Sequence, residues 1–323
     1  MRKALSVNRL AWRLLEELLE KPDFYGVKVE RKGKGTILVD AGIKARGGFE
    51  AGRLITEICM GGLGKADITC RKYGDLELQS IFVYTDHPAI ATLGSQYAGW
   101  QINEEGCFAI GSGPARALAL KPKEVCEEIH YRDECDRAIV VLETEKSPPA
   151  KLMECFVRDC RVQPEKLAVI LTPTTSLAGA TQVSGRIVET GIHKLRRLGF
   201  DPNMVLYAWG CAPISPVSPK FTRAMARTND AILYGGTSCF IVEYDDDDKL
   251  KKIVKKAPSM ASKAYGKPFI EIFKEAKYDF YKIDPDLFAP AVIIVNNAKT
   301  GNTFRSGEIN EKMLKVSFDL CNR

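Results

Sequence analysis

Residues 167–199 read LAVILTPTTSLAGATQVSGRIVETGIHKLRRLG, and three textures follow one another along them. Leu167 to Leu171 is a short unbroken apolar run, the pattern of a buried strand. Thr172, Thr174, Thr175 and Ser176 surround Pro173 in a hydroxyl-rich loop that continues through Gly179, Gln182 and Ser184. From Val183 to Leu198, the apolar residues Val183, Ile187, Val188, Ile192, Leu195 and Leu198 fall on one side of a helical projection. Gly199 is placed as a stop. Strand, polar loop and amphipathic helix in that order ask for helices layered on a sheet.

The same alternation extends outward without a fixed rhythm. Leu10, Leu14, Leu15, Leu18 and Leu19 recur at helical spacing before Lys21-Pro22, which predicts an N-terminal helix packed on a sheet. Short β-type runs lie at 36–39, 67–70 and 81–84, separated by glycine-rich pieces such as Met60 to Gly64. Cys107 to Ile110 reads as a strand entering Gly111-Ser112-Gly113-Pro114-Ala115-Arg116, after which residues 117–120 continue as helix. Residues 138–142 give another strand, and Leu152 to Val157 a helix. Tyr234-Gly235-Gly236-Thr237 and the stretch 296–302 each sit between β-rich runs and read as hairpins. Asp245 to Asp248 reads as a solvated turn opening a helix. Helices and strands do not repeat as regular βαβ units, so the fold class is α+β, an irregular α/β mixture. At roughly 100–200 residues per domain, 323 residues favour two domains. Ser147-Pro148-Pro149 is the linker candidate, which places the domains at 1–146 and 147–323, with exchange of segments between them left open.

Lys and Arg number 47 and Asp and Glu 41, a net +6 spread along the chain rather than gathered in a basic arm, which argues against nucleic-acid binding. The longest uncharged stretch, Leu167 to Gly185, carries six hydroxyl residues, too many for a membrane span. Arg13, Glu16, Glu17 and Glu20 interrupt the first apolar residues before a signal-peptide core forms, so a cytoplasmic location is expected. Ten cysteines include no C-x-x-C pair and three histidines are scattered, so no metal site is expected, and most thiols should be small buried hydrophobes.

Three segments carry candidate chemistry. In Gly111 to Arg116, a strand delivers a flexible loop to a helix start, where amides and Arg116 would meet an anion; the alternative is a tight turn capped by Ser112 or Gly113. The hydroxyls after Leu171 suit a polar heterocycle, or else cap local turns and the next helix. In Ser184-Gly185-Arg186-Ile187-Val188-Glu189-Thr190, Arg186, Glu189 and the later His193 share a helical face opposite the apolar stripe. That face meets either a wet cleft or bulk water, where the ion pair is worth only about 0.2–0.5 kcal/mol. No G-x-S-x-G elbow is present, and no local clue favours any one Cys–His pair as a nucleophilic dyad.

An ordered series of segments turns these weak signals into a specific one: Cys59-Met60-Gly61-Gly62-Leu63, TDHPAIA at 85–91, LGSQ at 93–96, AGWQ at 98–101, GSGPARALALKP at 111–122, SGRIVET at 184–190, PISP at 213–216, YGKPF at 265–269 and YDFYKIDP at 278–285. In these the chain resembles the methenyltetrahydromethanopterin cyclohydrolases over nearly its whole length. The resemblance implies reversible hydrolysis of a cyclic methenyl group to the formyl derivative, with no metal or redox cofactor. It implies two α+β-type domains with a large pocket between them and a homotrimer. The catalytic glutamate and its neighbouring arginine carry over to Glu189 and Arg186. For the pterin, Thr172, Thr174, Thr175, Ser176, Gln182 and Ser184 are candidates, with Ser95, Gln96, Gly236, Thr237 and Ser238 as looser ones. The substrate's phosphate- and carboxylate-bearing tail points to Arg116 with the amides of Gly111, Ser112 and Gly113. The partner expected is thus a small-molecule pterin, with no nucleic acid and no membrane. The rival from another class is a catalytically silent pterin carrier on the same scaffold, against which the joint presence of Arg186 and Glu189 speaks. A cyclohydrolase of the folate analogue is the rival among enzymes.

Overall fold

The computed structural model describes residues 5–104 and 107–320. Along the chain come α1 (Val7–Glu20), α2 (Pro22–Tyr25), β1 (Lys28–Lys32), β2 (Thr36–Asp40), α3 (Phe49–Cys59), β3 (Gly64–Tyr73) and β4 (Leu76–Thr85). A π-helical turn (Ile90–Gln96) leads to β5 (Trp100–Glu104), β6 (Cys107–Ser112), α4 (Ala115–Ala119), α5 (Lys123–Glu128), β7 (Ala138–Glu143), α6 (Ala150–Cys160), β8 (Leu167–Leu171) and α7 (Leu177–Ser184). Then follow α8 (Ile187–Arg197), β9 (Val205–Pro213), α9 (Phe221–Gly235), β10 (Thr237–Val242), α10 (Asp247–Lys256), α11 (Phe269–Glu275), β11 (Val292–Asn297), β12 (Thr303–Gly307) and α12 (Glu311–Ser317). The mixture is α+β, as the sequence suggests. Among the described residues no helix is long and apolar enough to cross a membrane.

The chain divides into two compact units. One is built from the chain up to Lys65 plus Ala89–Gln182, the other from Ala66–Pro88 plus Val183 onward. Pro148-Pro149 lies inside the first unit, joining β7 to α6, and the divisions fall instead after Lys65, Pro88 and Gln182.

The first unit holds a six-stranded sheet in the order β1-β2-β8-β7-β6-β5. Its centre is parallel, with Ile170 level with Val39 on one side and Val141 on the other; β1, β6 and β5 join antiparallel. One face, with Ile37, Val39, Ile139, Val141, Ala168 and Ile170, packs on Trp12, Leu15 and Leu18 of α1 and on Leu54, Ile55 and Ile58 of α3. The other, with Leu38, Val140, Leu142, Val169 and Leu171, packs on Leu152, Met153 and Phe156 of α6. A parallel strand covered on both sides needs no polar alternation, which is why β8 is apolar throughout. The predicted N-terminal helix is thus present and packed on a sheet; Ser6 caps it by accepting from the Arg9 amide.

The second unit's sheet runs β12-β11-β10-β9-β4-β3, with β10 and β11 parallel and the pairs β9–β10, β4–β9 and β11–β12 antiparallel. The hairpin expected around 296–302 is the β11–β12 turn. Helices α9, α11 and α12 share a cluster with Met225, Leu233, Phe269, Phe273, Leu314 and Phe318. Asp246 caps α10 by accepting from the Lys249 amide, as expected for the acidic turn.

Three expectations are corrected. The hydroxyl-rich loop is shorter than predicted, because Gly179, Gln182 and Ser184 belong to α7. The predicted 183–198 helix is broken at Gly185-Arg186: glycine lowers helix propensity there, and the Ser184 hydroxyl is turned to the Pro213 carbonyl at 2.8 Å. The sequence at 234–237 is no hairpin; Gly235 ends α9 and Gly236 leads directly into β10. Both glycines are there for close approach. A Cβ at Gly235 would lie 2.6 Å from Pro213 Cγ, and one at Gly236 2.5 Å from Ile187 Cδ1.

Candidate active site

Helix α8 is seated deeply on the second unit's sheet. Ile187 in its first turn fits over two glycines, for a Cβ at Gly210 would stand 2.8 Å from Ile187 Cγ2 and one at Gly236 2.5 Å from Cδ1. One turn on, a Cβ at Gly191 would lie 2.5 Å from Ser238 Oγ and 2.7 Å from Phe240 Cζ. On this seat Arg186 occupies the N-cap position, half-buried, and Glu189 stands in the first turn with only 7% of its surface exposed. A carboxylate at this position is favoured by the positive end of the helix dipole, just as Lys194, Arg196 and Arg197 suit the far end. The face carrying Glu189 is therefore not in bulk water. His193, four residues on, is neutral near pH 7: burial first, then Arg196, Arg197 and Lys194, hold its imidazole down at about 4. Lys194 is itself buried and reaches the Asp286 carboxylate at 2.7 Å. Thr237 and Ser238, predicted as looser pterin contacts, lie in β10; the Ser238 hydroxyl is fully buried beneath α8 and finds no hydrogen-bond partner among the described residues.

The other predicted residues belong to the first unit. Ser176 caps α7, accepting from the Gly179 amide at 3.0 Å and donating to carbonyls of Pro173 and Ala41, so for this hydroxyl the capping alternative holds. Thr172 and Thr174 differ from it. Both are buried, at 0% and 1% exposure, and their hydroxyls have no partner among the described residues; the same is true of Thr181 Oγ1 and Gln182 Oε1 on α7. Thr175 is half-buried. A row of buried, unsatisfied polar atoms is costly unless a ligand or water completes it. Thr181 was not singled out from sequence, since a threonine inside a helix gives no signal until its neighbours are known.

Ser95 and Gln96 end the π-helical turn, fully buried. The Ser95 hydroxyl donates to the Cys59 carbonyl at 2.6 Å, and its own carbonyl accepts from the Gly113 amide at 3.0 Å and from Arg116 Nη1 at 3.2 Å. Arg116 is wholly buried, with Nε also donating to the Lys121 carbonyl at 2.7 Å and Nη1 to that of Leu93 at 3.0 Å. The other residues of Gly111 to Arg116 are placed as follows. Gly111 is a strand residue between Trp100 and Leu142, the Ser112 hydroxyl donates to the Val141 carbonyl, and the Gly113 amide and Arg116 guanidinium are bound to backbone carbonyls. Through Arg116 Nε and Nη1 and the Gly113 amide the segment is tied into the core of its unit.

All eight cysteines whose side chains are described are free thiols, five of them buried. Cys321 lies outside the described residues. Burial pushes the Cys160 thiol up to about 12, in keeping with a packing role. Among the described residues no group of three His, Cys, Asp or Glu is placed to hold a metal ion. A surface cleft of about 370 Å³ in the second unit, lined by Ala264, Ile272, Lys277, Lys282 and Asp284, contains none of the predicted residues.

The profile of a family described as Cyclohydrolase (MCH) matches residues 6–318. The chain belongs to this family. It is 46% identical over 321 residues to the methenyltetrahydromethanopterin cyclohydrolase of Methanothermobacter thermautotrophicus, covering 98% of this chain and all of the relative. Similar enzymes by name are those of Methanocella arvoryzae, 44% identical over 97% of this chain and 98% of theirs, and of Methanocaldococcus jannaschii, also 44% over 97% and 98%. Family membership covers both units and includes the segment with Arg186 and Glu189.

Proposed function

We propose that this protein is a cyclohydrolase that reversibly hydrolyses 5,10-methenyltetrahydromethanopterin to the 5-formyl derivative. The observation that carries this reading is the end-to-end identity to enzymes of that name, at 41–46%. The local geometry supports it: a nearly buried carboxylate stands at the start of a helix whose depth is fixed by three glycines.

The reacting carbon lies between two nitrogens as an amidinium cation and is electrophilic without a Lewis acid, so the reaction calls for no metal or redox cofactor. Water is the weak reactant. Glu189 accepts a proton from it as the carbon–oxygen bond forms, a general-base role, and its negative charge complements the cationic ring. Arg186, at the N-cap of the same helix, orients the carboxylate. The neutral carbinolamine then opens: one carbon–nitrogen bond breaks, Glu189, now protonated, returns its proton to the leaving nitrogen, and the carbinol hydroxyl gives up its own proton to water as its oxygen becomes the formyl carbonyl. The unsatisfied Thr172, Thr174 and Gln182 atoms, with Thr175, Ser95, Gln96, Ser184, Thr237 and Ser238 as weaker candidates, supply the polar edges for the substrate. The rival carrier reading has no observation of its own in its favour.

Loss of methenyl absorbance with purified protein tests the reaction. Glu189→Gln should leave substrate binding in place and cut turnover by about 10²-fold or more, the range expected on removing a general base. Turnover near the wild-type rate in that variant would exclude the mechanism, and equal rates with the tetrahydrofolate analogue would overturn the substrate assignment.

We also propose a homotrimer. Tyr84 on β4 and Tyr207 on β9 are exposed, and beside them Phe82 and Trp209 meet in a tilted contact with ring centroids 5.9 Å apart while partly exposed, an aromatic strip suited to burial against another copy. Light scattering should give three times the chain mass; a monomer mass at micromolar concentration would exclude it.

A further inference from the structure

Arg116 Nε and Nη1 and the Gly113 amide already serve backbone carbonyls, so the anionic end of the proposed substrate is better matched by groups outside that segment. Strands β2, β8 and β7 run parallel, so the loops following β2 and β8 leave the sheet along the same carboxyl edge. That edge is where open sheets of parallel strands commonly bind ligands. The loop after β2 is held in one conformation by Asp40, whose carboxylate accepts from the amides of Gly42 (2.9 Å), Ile43 (2.6 Å), Lys44 (2.7 Å) and Ala45 (3.1 Å). Burial acts to raise the Asp40 pKa, but the four amide bonds outweigh it and keep the carboxyl below its ordinary value.

This loop is fastened to the one after β8. The Ala41 amide donates to the Leu171 carbonyl at 2.9 Å, and Ser176 Oγ to the Ala41 carbonyl at 3.3 Å. Gly42 is pressed so closely on the second loop that a Cβ would fall 2.2 Å from Ser176 Cβ. Two cations, Lys44 and Arg46, project from the ordered loop into solvent, and neither forms an ion pair with a described residue. Glu30, whose charge Lys44 feels, is itself paired with Lys32 at 2.8 Å. On the adjoining loop stand Thr172 and Thr174, buried, with hydroxyls that have no partner among the described residues.

We propose that the carboxyl edge of β2 and β8 binds an anionic group of the substrate, phosphate or carboxylate, with Lys44 and Arg46 supplying charge and the Thr172 and Thr174 hydroxyls donating hydrogen bonds. The proposal rests on the cyclohydrolase reading above, and it moves Thr172 and Thr174 from the pterin ring to the anionic tail. Since Asp40 occupies the loop's amides, charged side chains rather than backbone make the contact, so binding weakens as salt screens them.

The test is equilibrium binding by calorimetry, with the intact carrier and with a carrier truncated before its phosphate. It is independent of turnover, so a failure of Glu189 as base and a failure of this site are read separately. Lys44→Gln/Arg46→Gln, two exposed positions that leave the fold intact, should weaken binding of the intact carrier about tenfold, the usual scale for losing charge-assisted contacts. Binding of the truncated carrier should be unchanged, and Thr172→Val should follow the same pattern. Equal affinity of wild-type protein for the two carriers would overturn the site. An equal loss for both carriers in the double variant would overturn it as well.

Discussion

Three glycines set the depth of α8 on its sheet, and Gly191 is the most sensitive of them. Alanine there would gain about 1 kcal/mol of helix propensity. Its methyl would meet Ser238 Oγ at 2.5 Å and Phe240 Cζ at 2.7 Å, and overpacking of this kind costs about 1–3 kcal/mol, so the clash wins. Gly191→Ala should lower the urea midpoint and, by lifting the helix that carries Glu189, reduce turnover more than it weakens substrate binding. Unchanged turnover in a destabilised variant would separate the seat from the chemistry. Residues of this kind were only half legible in the sequence. The spacing of Arg186, Glu189 and His193 placed them on one face, but whether that face was wet or buried depended on packing that periodicity does not encode. Arg116 shows the opposite limit: next to glycines it reads as an anion anchor, and only its fully buried position among the Leu93, Ser95 and Lys121 carbonyls reveals a structural role.

At the scale of elements, α9 is tied to α11 and α12 through one carboxyl. Asp230 accepts from the Phe269 amide at 2.9 Å and the Ser317 hydroxyl at 2.6 Å, and burial, with a contribution from Glu271, raises its pKa to about 7. An unfolded aspartate titrates near 3.8. Between these values the folded chain holds the additional proton, so this contribution to stability is complete below pH 4 and is lost as pH rises through 7. Asp230→Asn keeps an acceptor for Phe269 and removes the titration. From pH 5 to 8 the variant should gain on wild type by about 2–3 kcal/mol in urea unfolding, and parallel profiles would rule the assignment out. His193, held down at about 4, tilts stability the other way below pH 6.5 in both proteins and cancels in the comparison. Elements were legible where one signal dominated: the leucine spacing of α1, the unbroken apolar run of β8, the turn between β11 and β12. They were misread where short apolar runs bordered glycine. Residues 231–234 suit a strand or a buried helix equally, and it is the packing of Gly235 on Pro213 that selects the helix.

Across the whole molecule, fold class and family could be read from the chain, whereas its partition could not. A proline pair is a reasonable linker signal, yet Pro148-Pro149 merely turns the chain within a unit, because β7 before it and α6 after it belong to the same pair of cores. The divisions after Lys65 and Gln182 carry no proline or charge run as a warning, and the one after Pro88 has only that single proline; the last runs through α7.

This threading imposes an order on biosynthesis. β3 and β4 leave the ribosome early, but β9, the other neighbour of β4 in the sheet, begins only at Val205, and β2, already beside β1, likewise waits for β8 at Leu167. The nascent chain thus carries two unfinished sheets at once, and folding is governed by closure of these long loops rather than by local hairpins.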